Sequence, residues 1–478
     1  MNTTLCIIII YMVLMVGIGV FAAKRKVKNT KDFFLAGRNL GPFMMAGTLA
    51  AAEIGGGSTV GVAEKAFGDW GISAGWYVVC AGVGIFLVSF VAPYLRRAMA
   101  TTVPEILCRR YGKPSHILST TLSILGLFIA TAVQIIATST IISVVTGMNM
   151  KLTIVIVSIV VTLYTMLGGL VSVTLTDIVH IFFITIGMAC AAPIIIHNAG
   201  GWQSIVSDLP QEYLLFTKVG WKTILGLILM YFMTFSTGQE AVQRYFAAKD
   251  IKSARLGSML CALIMALYGF IPACIGLVSR ARFPEIEPSS AMATAAINFA
   301  PPIVAGIVLA AVVAATMSSA SSNMIAVSTL FTKDVYERYI NKDVQDKQLM
   351  IVSKFVIVFI GFGSLIIALS NGGIIPLLML AFTLRSAGPF GAFVFGFVYK
   401  KATVHGGFYS ILMGTIGATI WQLMGEPYGI MSVVFGAVVS AIVFFIVSII
   451  ESKMGVPAAP PAIVGDEVDK IIDSKSDK

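Results

Sequence analysis

A carboxylate followed by three glycines, Glu53-Ile54-Gly55-Gly56-Gly57, sits inside an apolar segment that runs from about Gly41 to Phe67. Each glycine weakens a helix by about 1 kcal/mol relative to alanine. Ionisable groups inside a membrane face the bundle interior and mark ion or substrate paths. A glycine-interrupted apolar segment also points to a transporter's binding site. Taken alone, the glycines fit close helix packing equally well, with Gly57 and Gly61 making a GxxxG pair. Glu53 beside them turns the reading toward a site.

A second stretch, Ala315-Thr316-Met317-Ser318-Ser319-Ala320-Ser321-Ser322-Asn323, places positions 315, 318, 319 and 322 on one helix face. That face offers three hydroxyls and a carbonyl, and hard cations take oxygen ligands. Such a site carries little fixed charge and releases its ion readily. The competing reading is that small Ser and Ala residues line a helix interface. A third stretch, Gly168-Gly169-Leu170 through Thr176-Asp177 to His180, has no Lys or Arg and puts an acid at the start of a span. Asp177 is there either as a helix cap or as the charged ligand of a second cation. A fourth, Phe235-Ser236-Thr237-Gly238-Gln239-Glu240-Ala241-Val242-Gln243-Arg244, lies where a span reaches the cytoplasm.

The elements that position these residues follow from composition. Of 478 residues, 57% are hydrophobic and 12% charged, with a mean hydropathy of +0.91. Soluble domains carry about 25% charged residues, so the chain is an all-α polytopic membrane protein. Its net charge of +10 does not indicate nucleic acid, because the basic residues gather in short loops between apolar spans. The six cysteines form no CxxC and the four histidines show no metal-ligand spacing. No nucleophile–base pair is apparent, so neither a catalytic centre nor a cofactor is expected. Met1 to Ala23 has its charges after the apolar run, unlike a signal peptide, and reads as a retained first span.

A span takes about 20 apolar residues, which predicts about thirteen transmembrane helices: 5–23, 41–66, 72–95, 117–146, 152–170, 175–197, 221–240, 257–279, 298–330, 351–370, 373–399, 404–423 and 429–450. The ninth is longer than one span and implies a cytoplasmic extension. With the N-terminus outside and the C-terminus cytoplasmic, inner loops hold 22 Lys and Arg and outer loops six, the bias expected of a multi-pass plasma (cell) membrane protein. Pro457 to Ala462 reads as a linker and Gly465 to Lys478 as a mobile charged tail.

Together the four stretches resemble the sodium/solute symporter family, which holds bacterial proline, pantothenate and sialic acid symporters and animal sodium/glucose cotransporters. The resemblance runs from Asp32-Phe33-Phe34-Leu35-Ala36-Gly37-Arg38 to the thirteenth span. It rests on Gly168-Gly169-Leu170 with Thr176-Asp177, Gln243-Arg244 with Ala247-Ala248, and Met317-Ser318-Ser319 with Phe331-Thr332-Lys333-Asp334. It implies a five-plus-five inverted-repeat (LeuT-type) core with discontinuous first helices, broken at Gly55–Gly57 and near Ser236–Gly238. The implied division is 1–40 for the first helix and basic loop, 41–200 and 201–400 for the repeats, 401–452 for the last two spans and 453–478 for the tail. The family's common sodium site would fall on the carbonyls of Ala51, Ile54 and Ala315 with the hydroxyls of Ser318 and Ser319. A second sodium site, present in some members, would fall on Asp177, Ser318, Ser321 and Ser322. Na+ is then the coupling ion and the metal expected.

By the same resemblance, the solute would lie beside the two breaks, against Glu53, Gly55, Ser58, Gln134, Thr234 and Phe235. Gln134 could equally hydrogen-bond another helix, and Phe235 could simply pack. Glu53 replaces a hydroxyl of the sialic acid carriers, which argues against sialic acid. Proline carriers have an acid at the matching position, which favours ion coupling or ammonium binding. Arg385, the other charge inside a span, has three open roles: pairing with Glu53, binding a substrate carboxylate, or snorkelling to an interface. If Glu53 and Arg385 both line the cavity, an amino-acid-like zwitterion matches them. The expected function is sodium-coupled import of a small polar organic solute, an amino acid or carboxylate, by a protein that works in the lipid bilayer as a monomer. Two alternatives are a proton-coupled carrier that titrates Glu53 and a solute sensor, the latter disfavoured by the short tail.

Overall fold

The computed structural model describes residues 3–26, 29–370 and 373–461 and is built from helices; among these residues the sole β contact is an isolated bridge between Leu40 and Ala248. The helix Pro302–Thr329 runs through the middle and continues in wider turns to Ile340. Its most apolar stretch is 83% buried, against 22% for Thr3–Phe21 and 33% for Asp346–Ala368. Its alanines and serines let Val103–Thr146, Met150–Asn198 and Thr3–Lys26 close in around it. This continuation lies beyond the predicted bounds of the ninth span, 298–330. Peripheral helices turn apolar side chains outward: Phe355, Phe359, Phe362 and Ile366 on Asp346–Ala368 are each more than half exposed. Their spacing makes one continuous stripe.

Both expected breaks are present. Pro42 opens the helix Pro42–Glu53, a position that suits its fixed φ, and the helix stops at Ile54 with φ −81° and ψ 70°. The chain then passes through wide turns over Gly57–Gly61, where the Gly61 N–H donates to the Gly56 carbonyl at 2.8 Å, and resumes as Val62–Phe67. Packing contributes as well, since a Cβ on Gly57 would lie 2.6 Å from Leu378 Cδ2. The second break falls at Gly238, extended at φ −69° and ψ 123°, between Trp221–Thr237 and Gln239–Ala247.

The predicted spans 152–170 and 175–197 form one helical run, Met150–Asn198, folded at Gly169 with φ 59°. A Cβ there would stand 2.5 Å from the Phe33 ring, so conformation and space both call for glycine. Among the described residues, eight helices are long and apolar enough to cross a membrane alone, or nine if the pair Ile374–Ser386 and Gly391–Val398, bent by 44°, is one span. Pieces of broken helices such as Pro42–Glu53 are too short to enter that count.

The predicted linker is not free. Ala459 N–H donates to the Ala402 carbonyl at 2.6 Å, and Arg110 Nη1 donates to the Pro460 carbonyl at 2.8 Å. A guanidinium beneath the polyproline stretch thus holds it against the bundle. The predicted mobile tail, Gly465 to Lys478, lies outside the described residues.

Candidate functional site

The first broken helix meets the serine helix at its break. Ending a helix leaves its last carbonyls without backbone partners. The Ala50 carbonyl still accepts from Ile54 N–H at 2.7 Å, and the Ala51 carbonyl turns to a side chain. Ser319 Oγ lies 3.3 Å from that carbonyl and 3.1 Å from the carbonyl of Ala315 one turn below. Ser318 donates to Asp177 Oδ1 from the adjacent position. Of the five residues expected to hold sodium, Ala51, Ala315 and Ser319 meet, Ser318 is turned to Asp177 instead, and Ile54 is the residue at which the helix ends. All the donors are uncharged oxygens, the set a weakly held hard cation needs.

Gln134 Oε1 accepts from Gly56 N–H at 2.7 Å, so this glutamine supports the unwound backbone. Ser58 donates to the Glu53 carbonyl at 2.7 Å and closes the break on its other side. Gly55 is pressed between Ser319 and Gln134. At the second break, the Thr234 carbonyl accepts from Gly238 N–H at 2.6 Å and ends the helix. Phe235 is fully buried and stacked on Tyr231 at 5.4 Å between centroids.

Pairing with Glu53, one of the three roles open to Arg385, is not the pairing observed. Arg385 forms an ion pair with Glu240, and both side chains are almost wholly buried. That excludes snorkelling for Arg385 and leaves Glu53 without it. Glu53 Oε1 is buried and has no hydrogen-bond partner among the described residues. The reading of Glu53 and Arg385 as a matched pair for a zwitterion loses its footing here. Glu240 was missed because its stretch was assigned to the cytoplasmic end of a span, whereas the chain restarts a buried helix at Gln239.

Arg244, placed by the sequence reading where a span reaches the cytoplasm, belongs to the same buried helix. Its Nη2 donates to Ser322 Oγ at 2.8 Å and lies 3.6 Å from Asp177 Oδ2. Its Nε reaches the Thr48 carbonyl at 3.0 Å, and Thr48 donates to Asp177 at 2.5 Å. In the expected second sodium site, Asp177 and Ser318 touch and Ser322 is tied to Asp177 through Arg244. Ser321 accepts from Thr165 at 2.9 Å instead. A cationic side chain thus stands among the residues expected to bind a second cation.

A further network runs from Gln239, on the helix that carries Arg244. Gln239 Oε1 accepts from Val103 N–H at 2.9 Å, and the neighbouring Thr102 donates to Asp334 at 2.9 Å. Asp334 also bonds His116 Nε2 at 2.9 Å. The second broken helix and the extension of the serine helix are so joined through one loop.

Comparison with known proteins fits this geometry. The sequence model of the Sodium:solute symporter family matches residues 33–414. Sodium/glucose cotransporter 1 of Oryctolagus cuniculus is 24% identical over 88% of this chain and 72% of its own length. The osmoregulated proline transporter OpuE of Bacillus subtilis is 24% identical over 93% of this chain and 94% of its own. In fold, the chain is similar to a Na+-coupled sialic acid symporter solved in a substrate-bound outward-open state, with a TM-score of 0.79 at 21% identity over 96% of this chain and 99% of that one. Mhp1, a nucleobase-cation-symport-1 family transporter, superposes with a TM-score of 0.57 at 16% identity over 92% and 98% of the two chains.

Proposed function

The chain belongs to the sodium:solute symporter family and couples a small solute to Na+, and from that premise we propose that the ion is held where the first broken helix crosses the serine helix. The ligands in this reading are the carbonyls of Ala51, Ile54 and Ala315 and the hydroxyls of Ser318 and Ser319. The observation that carries it is Ser319 Oγ lying against two carbonyls, one of them freed by the helix break. Sodium bound there bridges two helices that otherwise meet through few polar contacts. Its presence favours one arrangement of the break, and an ion shifts a conformational equilibrium only by such differential binding.

The solute in this account lies against the same breaks, beside Glu53, Gly55, Ser58, Gln134, Thr234 and Phe235, with Arg385 acting through Glu240. A broken helix exposes N–H and C=O groups at mid-depth, where a continuous helix hides them. One sodium moving down 100 mV supplies about 2.3 kcal/mol, enough to concentrate an uncharged solute roughly 50-fold before the sodium gradient is counted. The account places the protein in the plasma membrane with thirteen spans, its N-terminus outside and its C-terminus inside, working as a monomer.

The test is electrophysiology on proteoliposomes adsorbed to a solid support, with a panel of amino acids, carboxylates, sugars and amines. At least one class should evoke transient currents in sodium and none in potassium, and Ser319→Ala should abolish those currents. Equal currents in potassium would overturn the reading. A second reading, proton coupling through Glu53, draws on the unpartnered buried Oε1. It predicts solute uptake driven by a pH gradient in sodium-free vesicles, which the sodium reading does not.

A further inference from the structure

Residues 456–461 turn back beneath the bundle, and of these Ala459 alone is buried. Its N–H donates to the Ala402 carbonyl at 2.6 Å, and Arg110 Nη1 donates to the Pro460 carbonyl at 2.8 Å. Two hydrogen bonds and one buried methyl make a light hold. Prolines at 457, 460 and 461 leave the segment few conformations to lose when it docks.

The anchor, by contrast, lies deep. Arg110 is 5% exposed, and its guanidinium donates in three directions: Nη1 to the segment, Nη2 to the Tyr399 carbonyl at 2.9 Å, and Nε to the Tyr111 hydroxyl at 3.0 Å. Tyr111 in turn donates to the Ala392 carbonyl at 3.0 Å, and its ring lies against Gly407. The segment is thereby tied to the inner end of the bent helix pair that carries Arg385.

Arg110 and Tyr111 close a short helical piece, residues 103–111, cut from the span beyond it by Gly112 at φ 79° and ψ −175°. At the other end of this piece, Val103 N–H donates to Gln239 Oε1 at 2.9 Å, and Gln239 Nε2 donates to the Thr101 carbonyl at 3.0 Å. Thr102 between them donates to Asp334 at 2.9 Å. Gln239 begins the inner half of the second broken helix, and Asp334 lies on the extension of the serine helix. One short helix therefore runs from residues 456–461 to both.

We propose that residues 456–461 are a regulatory strap. Docked, they fix the short helix and keep the inner ends of the second broken helix and the serine helix joined. Released, they free that helix at Gly112, and the two inner ends part. Arg110 then keeps two of its partners, so release strands no buried charge. The strap is a control point on transport that lies outside both breaks. Its link to sodium rests on the symport reading above.

The experiment compares the 478-residue chain with one ended at Gly455, which lacks the strap, and one ended at Ala462, which keeps it. Each is purified into lipid nanodiscs in sodium chloride and alkylated with N-ethylmaleimide. Cys108, a half-buried thiol on the short helix within electrostatic reach of Arg338 and Asp334, is followed by mass spectrometry of its peptide. Equilibrium 22Na+ binding is measured on the same preparations. Ending the chain at Gly455 should speed Cys108 alkylation and weaken sodium binding, each by at least about fivefold, the low end of coupling between distant sites. Ending it at Ala462 should change neither. Ala459→Pro, which removes the N–H bonded to Ala402 from an intact chain, should move both readings the same way by a smaller factor. It decides the matter if the shortened chain does not fold. Unchanged alkylation without the strap, or equal effects from the chain ended at Ala462, would overturn the proposal. Faster alkylation with unchanged sodium affinity would mark a packing role alone and overturn it too. If the 478-residue chain binds no 22Na+, the sodium reading fails, and alkylation alone decides on the strap.

Discussion

Gly55→Ala is expected to raise the sodium concentration for half-maximal stabilisation by more than about tenfold and to abolish coupled transport. The added methyl would stand 2.4 Å from Ser319 Oγ, 3.0 Å from Ser319 Cβ and 2.7 Å from Gln134 Oε1. Neither neighbour is free to retreat. Ser319 is fixed by the carbonyls of Ala51 and Ala315, and Gln134 by the Gly56 N–H. Overpacking of this kind costs about 1–3 kcal/mol, and here the strain falls on the contact at the centre of the proposed ion site. Sodium-dependent melting checks it. Gly187→Ala serves as the control, because a Cβ at Gly187 meets nothing within 4 Å. An unaltered sodium response in Gly55→Ala would mean that the ion binds elsewhere.

Arg244→Ala should be the most destabilising single truncation in the bundle, by about 3–5 kcal/mol, because it leaves Asp177 buried and charged without its partner. The loss goes beyond one ion pair. Arg244 also supplies donors to the Thr48 carbonyl and to Ser322, and Asp177 is held from the other side by Ser318 and Thr48. Adding Asp177→Asn should restore part of the melting temperature, since the amide carries no charge to strand. Arg244→Lys should not rescue, because an ammonium cannot replace donors spread over a planar fork. Thermal unfolding of the three variants tests this, and a melting temperature for Arg244→Ala equal to that of the wild type would refute it.

Much of the candidate site is readable in the sequence, and its legibility has physical causes. Ser318 and Ser319 stood out because hydroxyls at helical spacing share a face whatever surrounds them. Gly55 to Gly57 stood out because glycines interrupt a membrane helix, and the interruption is where the structure breaks it. Spacing within one helix does not say which distant helix lies opposite. For that reason the sequence does not match Glu240 with Arg385, and it leaves Gln134 with two roles, of which the hydrogen bond from Gly56 N–H is the structural one. Arg244 was misplaced because a charge near the end of an apolar run looks like a loop residue. The restart of a helix at Gln239 carried it inside instead. Pro457 to Pro461 has the composition of a linker, and composition cannot reveal that Arg110 holds it.

The most direct measurement of the central claim is equilibrium binding of radioactive 22Na+ to the purified protein, which needs no knowledge of the solute. The wild type should bind sodium saturably, Ser319→Ala should lose that binding, and Gly187→Ala should keep it. Wild-type affinity retained in Ser319→Ala would contradict the placement of the coupling ion between the first broken helix and the serine helix.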